Sequence, residues 1–476
     1  MRTLLTALIL IANCAPAAAA TEFCAPLDKA VTRAMDGWQV PGLAVGAVQD
    51  GQTLVRRTYG VRDVGTGAPV TPRTLFGLGS VTKSVTALAV AIADLEDRLD
   101  LDAPVRRLLP VFPAGVTLRH LLSHRAGWPR HDALWYLDAY GRAELAVRLS
   151  RLDRFAAPGA AYQYNNVPFA MAGLALEHAT GQTWERYVRE KVLTPAGMTD
   201  AVTSLAAFRN APGRAQPYFP ADEGRIALPL RDTDPVAPAA GLYAHLDDMI
   251  RYLNVLALEG GGRVPAAAVR EIMTAPSGAR YALGLNVRTW NGTPIAFHPG
   301  FVDGYGARIS ILPEFNAGVI VLTNMSGQTP VAQIVSQILN DCLTGETPKD
   351  WIAHFGNRRA PPEAKPDPPP PEPLGHTRTV YAGTYAHPAY GAFRLWPTQG
   401  ADTLSGAFHD RRFELAYAGD DRWRLTETHW PLREGLMFEF ADAGPDGFAQ
   451  LSTPLADGPT YRHNAGPLVF RRTGSP

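Results

Sequence analysis

Residues 75 to 97, LFGLGSVTKSVTALAVAIADLED, constrain the chain more than any other stretch. From Ser80 onward Val81, Val85, Ala87, Leu88, Val90, Ile92 and Leu95 leave almost no polar face, so the segment predicts a buried central helix of about four turns, around which a core must be built. Gly77 and Gly79 precede it. Ser80 falls in the first turn and Lys83 follows three residues on, a spacing that stacks both side chains on one helix face.

A serine hydroxyl is a poor nucleophile at neutral pH and needs a base beside it and donors for the oxyanion it creates. Lys83 can be that base if burial and neighbouring cations depress its pKa, while the first N–H groups of the helix and its dipole face the reacting centre. Of the 45 basic residues only Lys29, Lys83, Lys191, Lys349 and Lys365 are lysine, leaving forty arginines, which cannot lose a proton in a protein. The bland reading is a helix cap followed by an incidental lysine. Against it stands the high cost of an unpaired lysine in so apolar a helix.

At 476 residues and 46% hydrophobic content the chain has material for two domains. Arg2, an apolar run from Leu4 to Ala12 and the Ala18-Ala19-Ala20 end predict a cleavable signal over residues 1–20 and a periplasmic or secreted product. Cys14 raises a lipoprotein alternative, which Asn13 disfavours. No other apolar run reaches the roughly 18 residues of a membrane span. Zero net charge and a pI near 7.2 argue against nucleic acid or an anionic membrane surface as partner. Cys24 and Cys342 would enter an oxidising compartment, either bridged or as two buried thiols.

In chain order, residues 25–40 predict an amphipathic helix, and 42–60 a hairpin turning at Asp50-Gly51. Short helices follow over 100–109 and 116–124. Trp135, Tyr136 and Tyr140 either wall a pocket or belong to the core. Asn165 and Asn166 precede a helix that Gly181 stops, so Asn is a natural cap there; alternatively Tyr164 and Asn166 point a phenol and an amide at Ser80 and Lys83. Residues 201–240 suggest a long surface excursion, and 241–258 a helix. Strands return from Arg280, with a tight turn at Asn291-Gly292. His298-Pro299-Gly300 lies at the end of a strand, either as a simple turn or as an imidazole at the rim of a site with a backbone N–H near Phe301. A closing helix covers 331–343. Eight prolines between Pro361 and Pro373 predict a semi-rigid spacer of about 40 Å. Eight short alternating runs follow it, the pattern of a small antiparallel barrel or sandwich.

Ser80-Val81-Thr82-Lys83, Tyr164-Asn165-Asn166 and His298-Pro299-Gly300, together with VTLRHLLSHRAGWP, PAAGLYAHLDDMIRYLN and GYGARISILPE, resemble the penicillin-recognising serine hydrolases: class C beta-lactamases, DD-peptidases, D-aminopeptidases and related esterases. The likeness runs from about residue 25 to 345. It implies an α+β fold, an antiparallel sheet flanked by helices plus an all-helical subdomain, followed by a small all-β barrel-like domain. The organisation expected is signal peptide 1–20, hydrolase domain 21–350, linker 351–375 and barrel 376–476. The resemblance implies Ser80 as the acylated nucleophile, Lys83 as its base and Tyr164 as a proton relay. It assigns Asn166 to the substrate amide, His298 and Gly300 to the third motif, and the N–H groups of Ser80 and Phe301 to the oxyanion. It also makes a Cys24–Cys342 bridge geometrically plausible. Where relatives usually carry lysine in the third motif, this chain has histidine, neutral about half the time near pH 6.5. Pro299 besides lacks an N–H. These departures favour an esterase or a peptidase for short, D-configured or amidated substrates over a true beta-lactamase, and leave a catalytically silent penicillin-binding-like protein as the alternative. The expected partner is a small molecule or short peptide, with no cofactor or metal; nothing in the sequence sets an oligomeric state.

Overall fold

The structure is a computed structural model, and it describes residues 23–136, 140–221, 224–326, 329–356, 374–398, 403–409, 411–428, 437–444, 447–453 and 468–474. The signal segment 1–20 and the proline run 361–373 lie outside these residues. Strands β1 (Gly42–Gln49) and β2 (Gln52–Asp63) form the hairpin expected at Asp50 and Gly51, whose φ of 49° and 78° suit a tight turn. With β3 (Ala68–Pro69), β4 (Asn286–Trp290), β5 (Thr293–Val302), β6 (Tyr305–Leu312) and β7 (Ala317–Thr323) they make one antiparallel sheet in the order β3-β2-β1-β7-β6-β5-β4. β1 and β7 therefore sit together at its centre, which joins the start of the chain to the late strands.

The helices that matter for the core and the site are α1 (Leu27–Trp38), α2 (Thr82–Leu95), α3 (Leu118–Leu122), α4 (Ala133–Tyr136), α5 (Arg142–Ser150), α6 (Asn166–Thr180), α7 (Ala237–Ala240), α8 (Leu246–Ala257) and α9 (Val331–Leu343). The period-two alternation of β1 divides the core. Leu43, Val45 and Ala47 pack with Leu27 and Val31 of α1 and Val335 of α9. Ala44 and Val48 face the other way, with Leu246 and Ile250 of α8 and Val85, Leu88 and Ile92 of α2. Gly46 permits that second contact, since a Cβ there would lie 2.8 Å from Ile250 Cγ1. Cys24 and Cys342, just before α1 and near the end of α9, are joined in a disulfide with Cα atoms 5.6 Å apart.

Three expectations change. Residues 201–240 are not a surface excursion throughout: α7 is fully buried, and its Pro238 packs so tightly on Gly173 of α6 that a Cβ there would meet Pro238 Cγ at 2.3 Å. Alanine and proline buried on every side leave no periodicity to read. The helix expected from residue 241 starts only at Leu246, because Tyr243–Ala244 is drawn into pairing with Phe76–Gly77. Finally, His298-Pro299-Gly300 is not a turn. β5 continues through it, pairing Pro299 with Arg308 and Gly300 with Ala307. Proline is tolerated because β4 pairs no further than Phe297, so beyond that point one side of β5 is an edge.

The eight late runs close into an antiparallel barrel, with β8 (Gly383–His387), β9 (Gly391–Pro397), β10 (Thr403–Phe408), β11 (Arg411–Tyr417), β12 (Arg422–Thr428), β13 (Met437–Gly444), β14 (Gly447–Thr453) and β15 (Leu468–Gly474). Pairing of β8 with β15 removes the free edges. Phe393, Leu395, Leu415, Trp423, Phe438 and Phe470 are buried. The β8–β9 turn touches the main body: Arg148 Nη1 donates to Ala389 O at 2.7 Å, and Tyr390 Oη lies 2.9 Å from His131 Nδ1. No helix among the described residues is long and apolar enough to cross a membrane.

The Cys24–Cys342 bridge spans a sequence separation of 318 residues. A closed loop that long limits the unfolded chain by about 5 kcal/mol at most in the chain-entropy model, and measured losses on removing native bridges are about 2–5 kcal/mol. The Cys24→Ser/Cys342→Ser variant is therefore expected to unfold at lower urea concentration than the parent, and a non-reduced digest of the parent to retain the linked peptide pair. Equal unfolding midpoints would count against a stabilising bridge.

Candidate active site

The helix expected from Ser80 begins one turn later than its pattern suggests. Gly79–Val81 form a single 3-10 turn, and α2 proper starts at Thr82. Backbone crowding accounts for this. Gly79 holds φ +49° with its α-carbon against Phe301, whose backbone N would lie 2.7 Å from a Cβ there. Gly300 is closer still, since a Cβ on it would sit 2.0 Å from Leu78 O. Only glycine fits these approaches, and they bring the Ser80 turn against the backbone of β5 at Phe301.

Ser80, Lys83, Tyr164 and Asn166 come together. Lys83 Nζ lies 3.1 Å from Ser80 Oγ, and the Tyr164 hydroxyl donates to the same oxygen at 2.6 Å. Lys83 donates further to Asn166 Oδ1 at 2.7 Å and to Ala239 O at 3.0 Å. Both expected roles of the 165–166 pair are filled at once: Asn165 caps α6 by accepting from Val167 N, which frees Asn166 to turn inward. The Asn166 amide is oriented from behind, because its Nδ2 donates to Asp132 Oδ1 at 3.0 Å. Asp132 in turn accepts from Trp135 Nε1 at 2.9 Å and from Arg130 Nε at 2.6 Å. Burial pushes the Asp132 carboxyl up, but Arg130, Trp135 and Asn166 outweigh it and hold the group below its usual range.

Lys83 is completely buried. Burial drives its pKa well below the ordinary amine value, opposed by Asp132 and assisted by Arg130. A neutral amine has two N–H bonds and one lone pair. With Asn166 Oδ1 and Ala239 O accepting the two hydrogens, the lone pair is left for the Ser80 hydroxyl.

His298 does not reach the rim of the site. It is buried, with Nδ1 2.6 Å from Pro299 O and Nε2 2.9 Å from Tyr281 Oη. Tyr281 Oη is also 3.1 Å from His124 Nε2, and His124 Nδ1 accepts the N–H of Asn165. That last bond fixes every proton in the series: His124 Nε2–H donates to Tyr281, Tyr281 donates to His298 Nε2, and His298 Nδ1–H donates to Pro299 O. Burial lowers the His298 pKa to about 3, so its ring is neutral at any pH near neutrality rather than half charged at 6.5. Phe301 exposes its ring at the surface, 48% accessible, beside Ser80.

Arg130, Asp132, His124, Tyr281 and Ala239 were not singled out from the sequence. Asp132 lies in a loop with no periodicity, Tyr281 in another, and Ala239 contributes only a carbonyl. The nearby aromatics were: Trp135 braces Asp132, while Tyr136 donates to Asp303. A cluster of Asp200, His245 and Asp248 gathers within 4.8 Å. His245 Nδ1 accepts Asp248 N at 3.1 Å to cap α8, which puts the ring proton on Nε2, facing Asp200, and leaves the neutral ring no lone pair there for a metal.

A buried lysine bonded to a half-buried serine, between an antiparallel sheet and a helical subdomain, defines a serine hydrolase of the penicillin-recognising superfamily. The chain belongs to the Beta-lactamase family, whose model matches residues 27–337. It is similar to an unguisins hydrolase of Aspergillus campestris, 28% identical over 417 residues that cover 77% of each chain. It is also similar to esterase EstB of Burkholderia gladioli, 31% identical over 283 residues covering 51% of this chain and 72% of that protein. The fold is shared with an octameric penicillin-binding protein homologue from Pyrococcus abyssi, at a TM-score of 0.63 and 22% identity over 90% of this chain and 97% of the other. These relationships favour an enzyme over a catalytically silent binding protein.

The buried amine has a thermodynamic signature. Between its depressed folded pKa and the ordinary value near 10.5, the unfolded chain binds more protons than the folded one, so Lys83 adds stability as pH rises through that window. The stability of the parent relative to Lys83→Met is expected to increase as pH rises towards 10.5 in urea unfolding. A difference that does not vary with pH would rule out a depressed Lys83.

Proposed function

We propose that the chain hydrolyses small esters or amides through an acyl-enzyme on Ser80, with Lys83 as base, and that it acts after export to the periplasm or medium. The observation that carries this reading is the contact of Lys83 Nζ with Ser80 Oγ at 3.1 Å, in a setting where burial lowers the pKa of the amine well below its ordinary value. Ser80 Oγ bonds to the substrate carbonyl carbon while its proton passes to Lys83 Nζ. The resulting oxyanion is held by the N–H groups of Ser80 and Phe301, each contributing about 3 kcal/mol to lowering the barrier. Tyr164, 2.6 Å from Ser80 Oγ, gives its hydroxyl proton to the leaving group, whose bond to the carbonyl carbon then breaks, and the phenolate is reprotonated at the expense of the Lys83 ammonium. Water enters along the reverse path and frees Ser80. Asn166 holds Lys83 and lies where a substrate amide can be met, and Gly300 lets the strand carrying Phe301 come close enough.

Ester or small-peptide cleavage is preferred over beta-lactam cleavage because the third motif offers the substrate no fixed positive charge: His298 is buried and bonded inward. The name of the esterase relative accords with this preference. Export is supported by the Cys24–Cys342 bridge, since disulfides persist in oxidising compartments.

A fluorophosphonate is expected to add one adduct to the intact parent and none to Ser80→Ala; equal labelling would refute the proposal. Lys83→Met is expected to lower kcat for p-nitrophenyl acetate by about 10²–10⁴. The acid limb of kcat/KM in the parent belongs to Lys83, with activity lost as pH falls and the amine takes up a proton. His298 contributes no limb near neutral pH, its own value being about 3.

A further inference from the structure

The β5–β6 turn leaves the site two residues past Phe301, at Asp303. There it meets two side chains from other parts of the molecule. The Tyr136 hydroxyl, at the end of α4, donates to Asp303 Oδ1, and Arg231 Nε donates to Asp303 Oδ2 at 2.8 Å. The Arg231 guanidinium carbon lies 4.0 Å from the centre of the Tyr136 ring, so cation, ring and carboxylate close on one another. Sheet and helical subdomain are thereby tied together at one end of the β5 edge that β4 leaves unpaired. Burial, and then Asp303, raise the Tyr136 pKa, so the phenol remains a donor throughout any practical assay range.

The opposite end is filled. His124, Tyr281 and His298 are buried there, with Tyr162 packed on the first two at ring distances of 6.0 and 5.7 Å. Along β5 the free length from His298 to Val302 is thus roughly 13 Å at strand spacing. Ser80 is not central in it. Its turn contacts β5 at Phe301, two residues or roughly 7 Å short of Asp303, about the reach of a single residue.

We propose that Tyr136, Asp303 and Arg231 form a clasp that sets substrate size, restricting the group on one side of the scissile bond to about one residue or a short chain. This rests on the hydrolase reading above and names the substrate class for it: esters or amides with a small group facing the clasp. The clasp residues bound the space and do not touch the reacting atoms.

The test uses the full chain and two series of esters, p-nitrophenyl esters from acetate to decanoate and acetate esters of progressively larger alcohols. One series probes the acyl side and the other the leaving-group side. The parent is expected to discriminate against length in one of them. In Asp303→Ala, and in Tyr136→Phe, which keeps the ring but loses the bond to Asp303, the long-to-short ratio of kcat/KM in that series is expected to rise about tenfold. Labelling by a small fluorophosphonate reports an assembled Ser80 in each variant, and Tyr136→Phe carries the test if Asp303→Ala fails to fold. Full labelling with unchanged ratios in both series overturns the clasp alone. A parent that is neither labelled nor active on any ester overturns the hydrolase reading, and the clasp with it.

Discussion

One buried amine makes demands that much of the structure exists to meet. Lys83 lies in a helix without a polar face, so each of its hydrogens needs an acceptor brought in from elsewhere. Asn166 comes from α6 and Ala239 O from α7, while Ser80 lies one turn back along its own helix. None of these would suffice if loosely held. Asn166 is fixed by Asp132, and Asp132 by Arg130 and Trp135. The energetic trade is plain: burial makes the amine a base and costs stability whenever it is protonated, and the ring of acceptors limits that cost.

A second constraint is steric and has no charge in it. The oxyanion donors proposed here belong to different elements, the Ser80 turn and β5, and can converge only if two backbones touch. Gly79 and Gly300 supply the contact, each at a place where one methyl group would collide with a main-chain atom. The antiparallel pairing of β7 with β1 serves the same end. It locks the late strands, β5 among them, to the N-terminal hairpin from which the chain proceeds to Ser80.

The barrel is not remote from this machinery. Its β8–β9 turn places Tyr390 on His131, the residue before Asp132, in a contact where both side chains are buried. The His124–Tyr281–His298 series lies on the other side of the site. It changes the meaning of the third motif: a histidine there is a neutral member of a directed hydrogen-bond series, with its polarity set by one backbone N–H at Asn165.

Much of this was legible locally. The α1 pattern, the Asp50-Gly51 hairpin, the Asn291-Gly292 turn with φ of 48° and 86°, the α6 cap and stop, and eight barrel runs all follow from periodicity and turn chemistry. Ser80 and Lys83 could be paired because an i, i+3 spacing on a helix is itself a distance. Tyr164, Asn166, His298 and Phe301 stood as one of two alternatives on the residues themselves, and the resemblance assigned their roles together with that of Gly300. The sequence could not show that Asp132 braces Asn166, that His298 faces inward or that Asp303 meets Tyr136 and Arg231. Those partners come from separate loops, strands and helices, and no local repeat encodes which side chains will meet. What the sequence by itself determined was therefore the set of elements and the one base and nucleophile that share a helix. Tertiary structure alone decided which groups surround them, because burial and long-range contact, rather than residue type, lower the pKa of Lys83 and of His298 and choose their hydrogen-bond partners.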